Sequence, residues 1–394
     1  MTKVHTAGDE VEALMLQGLL EQAGIPVVLR SRQVPGYADV VEKATGVWGD
    51  LLVPDERAGD ARTLIRDYLA TQPRTGPARG AGAAKPVAGI VVPIPTLFDE
   101  RGRLDESANA RHVEWLIAHG VHGLFALGTT GEFTSLTRDE RRMMAELVVR
   151  TAGGRVPVLV GCGSPWTDEA VAYAEHAEEI GAAGVAAVLP YYWIPSDRSI
   201  YEHYRLLAIG TRLPVYIYNF PALTGRNIPP DLVRRLAEQH PTIAGIKDTI
   251  DSVAHIQQLL VAVRPARPDF AVLCGMDYHL LNTMLLGGDG AVPGTANFAP
   301  DPLVEIYRAV TQGRAADAAE RARTHLNAIP ALFAADAPAF VVVKEAMVIA
   351  GLIPHAKTRP PALPLTEDER RVLRRGLEAL GIGAARSRVP GPPA

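Results

Sequence analysis

Two patterns of apolar and polar positions follow one another along the chain. Up to about residue 70, short apolar runs and helical stretches come in the order strand, helix, strand, strand, helix. The strands are KVHTA, IPVVLRS and GDLLVPD, one helix ends near Leu20, and the second helix is AGDARTLIRDYLA. This order predicts a small α+β domain over residues 1–70, with one sheet and two helices.

The segment that follows breaks the pattern. Residues 71–86, TQPRTGPARGAGAAKP, are rich in proline, glycine and alanine and have no apolar periodicity. Such a composition is typical of a flexible linker.

From residue 87 onward, apolar runs alternate with amphipathic helical stretches. The runs are GIVVPI, GLFAL, VPVLVG, GVAAVLP, LPVYIYN, IAGIKD, FAVLCG and GAVPGT. Strands that are apolar on both faces and separated by helices indicate a parallel sheet, and eight of them predict a closed (β/α)8 barrel. Further helical stretches between about 315 and 380 predict a C-terminal helical extension, so the second domain spans 87–382. The alternative, a doubly wound sheet, requires a glycine-rich turn with an acidic partner about 20 residues on, and no such pair is found.

Composition narrows the class of protein. The 394 residues are 47% hydrophobic and 21% charged, with a formal net charge of −4, which gives no electrostatic reason to expect nucleic acid or an anionic membrane as a partner. No apolar run approaches the roughly 18 residues of a membrane span, and the first residues lack a signal-like apolar stretch. Cys162 and Cys274 lie in apolar strands, which predicts buried free thiols and a cytoplasmic protein.

Three predicted strands end in residues that carry chemistry. GLFAL is followed by GTTGEF, LPVYIYN ends near Tyr218, and IAGIKD contains Lys247. Active sites of such barrels lie at the C-terminal ends of the strands. An amine in an apolar mouth loses its charge more readily than in water and can condense with a ketone to a Schiff base, while Tyr218 and Thr129 could relay a proton. The main-chain N–H groups of residues 128–131 could hold a substrate carboxylate. Each residue alone also fits a structural role: a solvated lysine, a helix-capping turn or a core tyrosine.

The blocks GVHGLFALGTTGEFTSLTRDER, YIYNFPALTG and GIKDTIDS resemble those of the dihydrodipicolinate synthase/N-acetylneuraminate lyase family. The resemblance covers about 87–380 and implies class I pyruvate aldolase chemistry on a TIM barrel, with pyruvate as the shared keto acid, no metal or organic cofactor, and a homo-oligomer, expected to be a tetramer. It implies catalytic roles for Lys247 as the Schiff-base lysine, Tyr218 as the proton shuttle, Thr129 as the relay, and Tyr192 as the residue that completes the relay in a neighbouring subunit. It implies substrate binding by Thr130, Gly131, Leu223, Gly275 and Val292.

Leu223 bears on the substrate. Dipicolinate synthases of this family have an arginine at the matching position, which grips the carboxylate of the aldehyde substrate, and an apolar side chain removes that contact. The surrounding blocks resemble those of bacterial 2-keto-3-deoxygluconate aldolases, which predicts cleavage of a 2-keto-3-deoxy sugar acid whose hydroxyls Asn219, Thr224 or main-chain groups could meet. Dipicolinate synthesis and an N-acetylneuraminate lyase-like activity are the alternatives, since the lyases share leucine here and GTTGE differs from the GSGGE of some aldolases.

The remaining candidates are given structural interpretations. His112 and His119 are predicted to lie on a helix and His122 at the start of a strand, and the cluster is predicted to consist of helix-surface histidines rather than metal ligands. Lys344 and Glu345, in the apolar helix VVVKEAM, are predicted to be structural. The first domain resembles small bacterial domains described as signal-transducing and has no catalytic cluster. The non-enzyme alternative for the whole chain is a ligand-sensing protein on a reused barrel. The presence of Lys247, Tyr218 and Thr129 argues against this alternative.

Overall fold

The structure is a computed structural model that describes residues 1–7, 10–31, 49–71 and 87–383. The chain divides into two compact units, Met1–Pro77 and Ala78–Ala394. Apart from Thr71, the predicted linker lies outside the described residues.

The first unit contains three strands and two helices. The strands are β1 (Thr2–Ala7), β2 (Val28–Ser31) and β3 (Gly49–Val53), and the helices are α1 (Glu10–Gln22) and α2 (Ala58–Thr71). The sheet is antiparallel in the order β1-β3-β2. Leu16 and Leu20 of α1, Ile65 of α2, and Leu51 and Val53 of β3 are buried together, because one face of each element is apolar. The predicted order of elements is confirmed.

The second unit is a closed eight-stranded parallel barrel in which each strand pairs with its neighbours in sequence. Its strands are β4 (Gly89–Pro93), β5 (Gly123–Ala126), β6 (Val158–Gly161), β7 (Gly184–Val188), β8 (Val215–Asn219), β9 (Ile243–Asp248), β10 (Ala271–Cys274) and β11 (Gly290–Ala291). Every residue of these strands is buried, which explains why the strands read as continuous apolar runs. The predicted (β/α)8 barrel is confirmed.

Helices follow the strands around the barrel. They are α3 (Glu106–Ala118), α4 (Arg138–Ala152), α5 (Thr167–Glu179), α6 (Asp197–Gly210), the short α7 (Pro221–Thr224), α8 (Pro230–Gln239), α9 (Val253–Val263), α10 (Leu280–Leu285) and α11 (Pro300–Thr311). Thr137 begins α4 with a capping box, since its side chain accepts from the N–H of Glu140 and the Glu140 carboxylate accepts from the N–H of Thr137.

The predicted C-terminal extension is also present. It comprises α12 (Ala315–His325), α13 (Ile329–Leu332), α14 (Ala339–Ile349) and α15 (Glu367–Ala379). Val341 and Met347 of α14 and Leu373 of α15 are buried in a second hydrophobic cluster, which also includes Leu97 and Phe298 of the barrel. The extension therefore packs on the barrel and does not form a separate domain.

The histidine prediction is wrong for His112. This residue is only 5% exposed, and its Nε2 lies 2.9 Å from Oδ1 of Asn297. Burial lowers the pKa of His112 to about 4, so the imidazole is neutral near pH 7. A helix position that looks like surface in sequence is covered here because Asn297, far away in the chain, lies against it. Among the described residues, no helix combines the length and the apolar character needed to cross a membrane.

Candidate active site

Lys247 lies near the end of β9, on a strand that is buried throughout. Lys247 is 6% exposed, and it pairs in register with Tyr218 on β8 and Leu273 on β10. Nζ lies 3.9 Å from the ring centroid of Tyr218 and 5.1 Å from that of Phe125. No described carboxylate lies within salt-bridge distance of Lys247. Because buried charges in proteins are normally paired with a counterion, an amine held only against two aromatic faces points to chemistry rather than to structure.

Tyr218 and Thr129 form a hydroxyl pair beside this amine. The two oxygens lie 3.0 Å apart, and either can donate the hydrogen bond. The Tyr218 ring packs edge-on against Phe125 and stacks with Phe220, with centroids 6.0 Å apart in both cases. In the barrel, β5 and β8 are separated by β6 and β7. Thr129, which follows β5, therefore meets Tyr218 across the mouth, which only barrel closure makes possible.

The turn over residues 127–132 is held in an uncommon conformation. Leu127 and Glu132, one at each end, have φ angles of 59° and 53°, in a region that side chains other than glycine seldom adopt. The N–H of Gly131 donates to the Gly128 carbonyl at 3.0 Å, and Thr96 Oγ1 donates to the Gly131 carbonyl at 2.6 Å. Backbone strain of this kind persists only where surrounding contacts enforce it, and it clusters at ligand-binding sites.

These internal bonds decide which N–H groups of the turn are free. The N–H groups of Gly131 and Glu132 donate within the turn, to Gly128 and Thr129. Within the described residues, the N–H groups of Gly128, Thr129 and Thr130 have no protein acceptor. The sequence prediction of a carboxylate held by residues 128–131 thus loses the amide of Gly131 and keeps those of Gly128, Thr129 and Thr130, together with the Thr130 hydroxyl.

Gly275 and Val292 lie on the same mouth, after β10 and β11. The N–H of Gly275 donates to the Asp248 carbonyl and that of Val292 to the Cys274 carbonyl, both at 2.7 Å. A Cβ on Gly275 would lie 2.0 Å from Oγ1 of Thr249, so only glycine fits there. Gly275 thus follows the strand next to the Lys247 strand, and Val292 follows the strand one further round the barrel.

Two predicted site residues are not in contact with the Lys247 cluster. Leu223, on α7, is 59% exposed, and Tyr192, in the loop after β7, is 102% exposed with a φ of 85°. Trp193 and Ile194, the next two residues, are also more than half exposed. Within this chain Tyr192 meets neither Tyr218 nor Thr129 in the described contacts, and its role in a neighbouring subunit stays a prediction.

A buried polar network that the sequence pattern did not predict lies behind Lys247. Asp248 accepts from Asn219 Nδ2 at 2.7 Å and lies 2.9 Å from Nδ1 of His255, while Asn219 Nδ2 also donates to Asn227 at 2.9 Å. Asp248 and Asn219 are fully buried. Because successive side chains of a strand point to opposite faces, Asp248 faces away from the mouth that Lys247 enters. Adjacent charged residues at the end of an apolar strand were the signal that could have revealed it.

This network corrects one expectation about substrate hydroxyls. The side-chain amide of Asn219 is fully used, since its Oδ1 also accepts from the N–H of Ile228 at 3.2 Å. The hydroxyl of Thr224 is engaged with the carbonyls of Phe220 and Arg226, at 3.1 and 3.2 Å. Neither side chain retains a free donor, so donation to substrate hydroxyls falls to other groups of the mouth.

A cavity of about 320 Å³ lies elsewhere on the barrel, and its lining includes Trp193, Arg198 and His203. It contains none of the predicted site residues.

The other buried reactive groups are the thiols of Cys162 and Cys274, which are free, and burial raises the pKa of each to about 12. A pKa that high leaves too little thiolate for nucleophilic chemistry. Among the described residues no three or more His, Cys, Asp or Glu side chains cluster as a metal site would require.

Comparison with known proteins gives a consistent result. Residues 86–380 match the family described as "Dihydrodipicolinate synthetase family", and residues 1–68 match that described as "Putative prokaryotic signal transducing protein". A protein of Escherichia coli K12, named "Probable 2-dehydro-3-deoxy-D-pentonate aldolase YjhH", is 45% identical over 298 residues, which are 76% of this chain and 99% of that protein.

Two solved structures are similar to the barrel. The crystal structure of YagE from E. coli K12 in complex with pyruvate is 42% identical, covers 75% of this chain and 99% of its own, and has a TM-score of 0.73. The dihydrodipicolinate synthase of Thermotoga maritima is 32% identical over 75% of this chain and 99% of its own, with a TM-score of 0.71. The family match covers most of the chain, and the relatives are matched over nearly their full length. Together with the barrel and its lysine-bearing mouth, these matches show that the chain belongs to the dihydrodipicolinate synthetase family.

Proposed function

We propose that the barrel is a class I aldolase that cleaves a 2-keto-3-deoxy sugar acid to pyruvate and an aldehyde through a Schiff base on Lys247. The observation that carries the proposal is the buried, ion-pair-free amine of Lys247 beside the Tyr218–Thr129 hydroxyl pair. Two relatives support the substrate class. YjhH is named for a 2-dehydro-3-deoxy-D-pentonate and YagE, 42% identical, is named "Putative 2-dehydro-3-deoxy-D-gluconate aldolase".

The chemistry follows from the placement of these groups. The amine of Lys247 attacks the C2 ketone, and loss of water leaves a protonated imine. Removal of the proton from the C4 hydroxyl starts cleavage of the C3–C4 bond, whose electron pair moves into the imine and forms an enamine as the aldehyde leaves. Protonation of the enamine at C3 and hydrolysis then release pyruvate and the free lysine. Tyr218 and Thr129 move the protons, and the amides of Thr129 and Thr130 hold the carboxylate.

Leu223 supports a sugar acid over aspartate semialdehyde as the source of the aldehyde portion. Its side chain, after β8, is apolar and 59% exposed, at the position where the resemblance implies an arginine in dipicolinate synthases. Dipicolinate synthesis is the alternative, since a 4-hydroxy-tetrahydrodipicolinate synthase of Gluconacetobacter diazotrophicus is 36% identical over 75% of this chain. An N-acetylneuraminate lyase-like activity is the third outcome that the assay must separate.

The test is a pyruvate-release screen with the purified full-length protein. The substrates are five- and six-carbon 2-keto-3-deoxy acids and N-acetylneuraminate, with pyruvate plus aspartate semialdehyde assayed in the synthetic direction. Borohydride added with pyruvate should attach one ligand per chain, on the peptide that holds Lys247, and Lys247→Met should abolish both the adduct and turnover. An adduct on Lys344, or efficient dipicolinate synthesis with every sugar acid untouched, would refute the aldolase assignment.

We further propose that residues 1–70 form an accessory domain outside the catalytic unit. The match to the signal-transducing family ends at residue 68, and the barrel has its own hydrophobic core. A shortened chain that begins at Lys85 should keep turnover within a few-fold of the full chain, because the site residues all lie in the barrel. Loss of the borohydride adduct in the shortened chain would show that the first domain belongs to the catalytic unit.

We also propose that the enzyme is a cytoplasmic homo-oligomer, with a tetramer as the expected state. The buried free thiols of Cys162 and Cys274 support a reducing compartment. The exposed Tyr192, Trp193 and Ile194 support association, since neighbouring exposed apolar side chains mark interaction surfaces. Cell fractionation tests the location, and recovery of the enzyme outside the cytoplasmic fraction would contradict it. Light scattering tests the assembly.

A further inference from the structure

Helix α14 carries two charged residues in adjacent positions, and both are buried. Lys344 is 0% exposed and Glu345 is 1% exposed. Adjacent residues of a helix point about 100° apart, so the two side chains reach different partners. Each must have a counterion, because an unpaired buried charge is strongly destabilising. The partners of Lys344 lead to the candidate active site.

Lys344 forms an ion pair with Glu132, and the two side chains are 1% and 0% exposed. Its Nζ also donates to the carbonyl of Lys357 at 2.8 Å and lies 4.5 Å from the ring centroid of Phe98. Burial lowers the pKa of Lys344 and raises that of Glu132, while their mutual contact opposes both changes. The ammonium is thus enclosed by one carboxylate, one carbonyl and one aromatic face.

Glu132 is the last residue of the 127–132 turn. Its φ of 53° requires support from outside the turn, and its own N–H donates to the Thr129 carbonyl at 3.1 Å. The carboxylate that Lys344 holds therefore belongs to the residue whose backbone closes the turn on Thr129. Further support comes from the hydrogen bond from Thr96 to Gly131 and from Arg359, whose main-chain N–H and positive charge act on the Glu132 carboxylate.

We propose that Lys344 is a positioning residue that holds the turn over 127–132 in the conformation that binds the keto-acid carboxylate. The inference rests on the proposed function, which assigns that carboxylate to the amides of Thr129 and Thr130. Lys344 lies 212 residues beyond Glu132 in sequence, in the C-terminal extension. The extension is by this account a part of the substrate-binding apparatus, and the structural role predicted for Lys344 from sequence is incomplete.

The chain offers a matched control on the same helix. Glu345 is paired with Arg370 of α15, with Nη2 at 2.7 Å from Oε1 and Nε at 3.0 Å from Oε2. This pair also joins a buried charge to its counterion, but no described contact links it to the 127–132 turn. Arg370→Met removes the positive partner of Glu345, just as Lys344→Met removes the positive partner of Glu132. The effects of Arg370→Met therefore report the loss of a charge pair alone.

The experiment measures two quantities in the full-length protein. One is the pyruvate concentration that gives half-maximal borohydride trapping on Lys247, and the other is the thermal midpoint Tm. Lys344→Met should raise the half-saturating pyruvate concentration about tenfold or more, because a misplaced N–H loses a hydrogen bond to a charged group. Arg370→Met should lower Tm yet change the pyruvate concentration by less than about twofold, since sites without shared partners act independently.

The double variant Glu132→Gln/Lys344→Met separates positioning from stability. It removes both buried charges, so its Tm should exceed that of Lys344→Met. If Lys344→Met does not fold, the pyruvate concentration is measured in the double variant instead. The half-saturating pyruvate concentration should stay raised in the double variant. Normal pyruvate affinity in folded Lys344→Met, or affinity restored in the double variant, would overturn the inference. Absence of trapping in the wild-type protein would instead refute the proposed function.

Discussion

Replacing Tyr218 by phenylalanine removes a single oxygen from the candidate site. The ring is 3% exposed and packs against Phe125 and Phe220, and these contacts remain in the variant. What is lost structurally is one neutral hydrogen bond to Thr129, worth about 1 kcal/mol of stability. In the proposed mechanism, what is lost chemically is a general acid-base group, worth about 100- to 10,000-fold in rate. We therefore expect a nearly normal Tm and a large loss of turnover.

Thr129→Val removes the other end of the same hydrogen bond and leaves the phenol in place. If the two hydroxyls act as one relay, the double variant should lose about as much activity as Tyr218→Phe alone, because residues that act as a unit are not additive. The assay is steady-state pyruvate release, normalised to the fraction of chains that borohydride traps on Lys247. Normalisation separates loss of proton transfer from loss of imine formation.

Tyr216 supplies the matched control. It lies two residues earlier on β8, is 1% exposed, and its hydroxyl accepts from the N–H of Val87 at 2.7 Å. Residues two apart on a strand share a face, so Tyr216 lies deeper in the barrel on the same side as Tyr218. Tyr216→Phe should lower Tm and spare turnover. A stable Tyr218→Phe variant that keeps turnover within about tenfold would refute the assignment of Tyr218, since the loss expected of an acid-base group is larger. Multiplicative losses in the double variant would refute the relay.

Three further predictions concern substrate, assembly and acid stability. Leu223→Arg should shift the ratio of kcat/KM for dipicolinate synthesis to kcat/KM for sugar-acid cleavage upward by about tenfold. This is the low end of the effect of a charged hydrogen bond, because position 223 is largely exposed. An unchanged ratio would show that Leu223 does not select the substrate. Light scattering should show a tetramer, and Tyr192→Phe should lower turnover without dissociating it; a fully active monomer would contradict the shared site. Burial lowers the pKa of His112 and of His203 to about 4, so the stability tied to their neutral forms is complete above about pH 6.5 and is lost as the pH falls through 4. Tm should decline over that range, less steeply in His112→Gln, and an equal slope in both proteins would refute this account.

A large part of the architecture was predictable because burial leaves a local record. A barrel strand that is covered on both faces must be apolar throughout, and each of the eight predicted runs contains an observed strand. Lys247 was recognisable for the same reason, since a lysine at the end of a buried run is an anomaly that requires an explanation. The turn at 128–131 was recognisable from its glycines and threonines.

The partners of buried polar groups were not predictable. The sequence suggested a surface position for His112 and a side-chain amide of Asn219 that could meet a substrate hydroxyl. The structure instead covers His112 with Asn297 and engages Asn219 with Asp248 and Asn227. Periodicity shows which face of an element is buried, but it does not show which side chain from elsewhere in the chain lies against that face.

The sequence by itself determined the two domain types, the strand and helix order, and the residue types available for Schiff-base chemistry. Only the tertiary structure decided that Thr129 meets Tyr218 across the barrel mouth, that the amides of Thr129 and Thr130 remain free, and that Lys344 reaches Glu132. The physical reason is that local patterns set the free energy of burying one segment, whereas a contact between distant residues exists only after the barrel has closed and the C-terminal helices have packed on it.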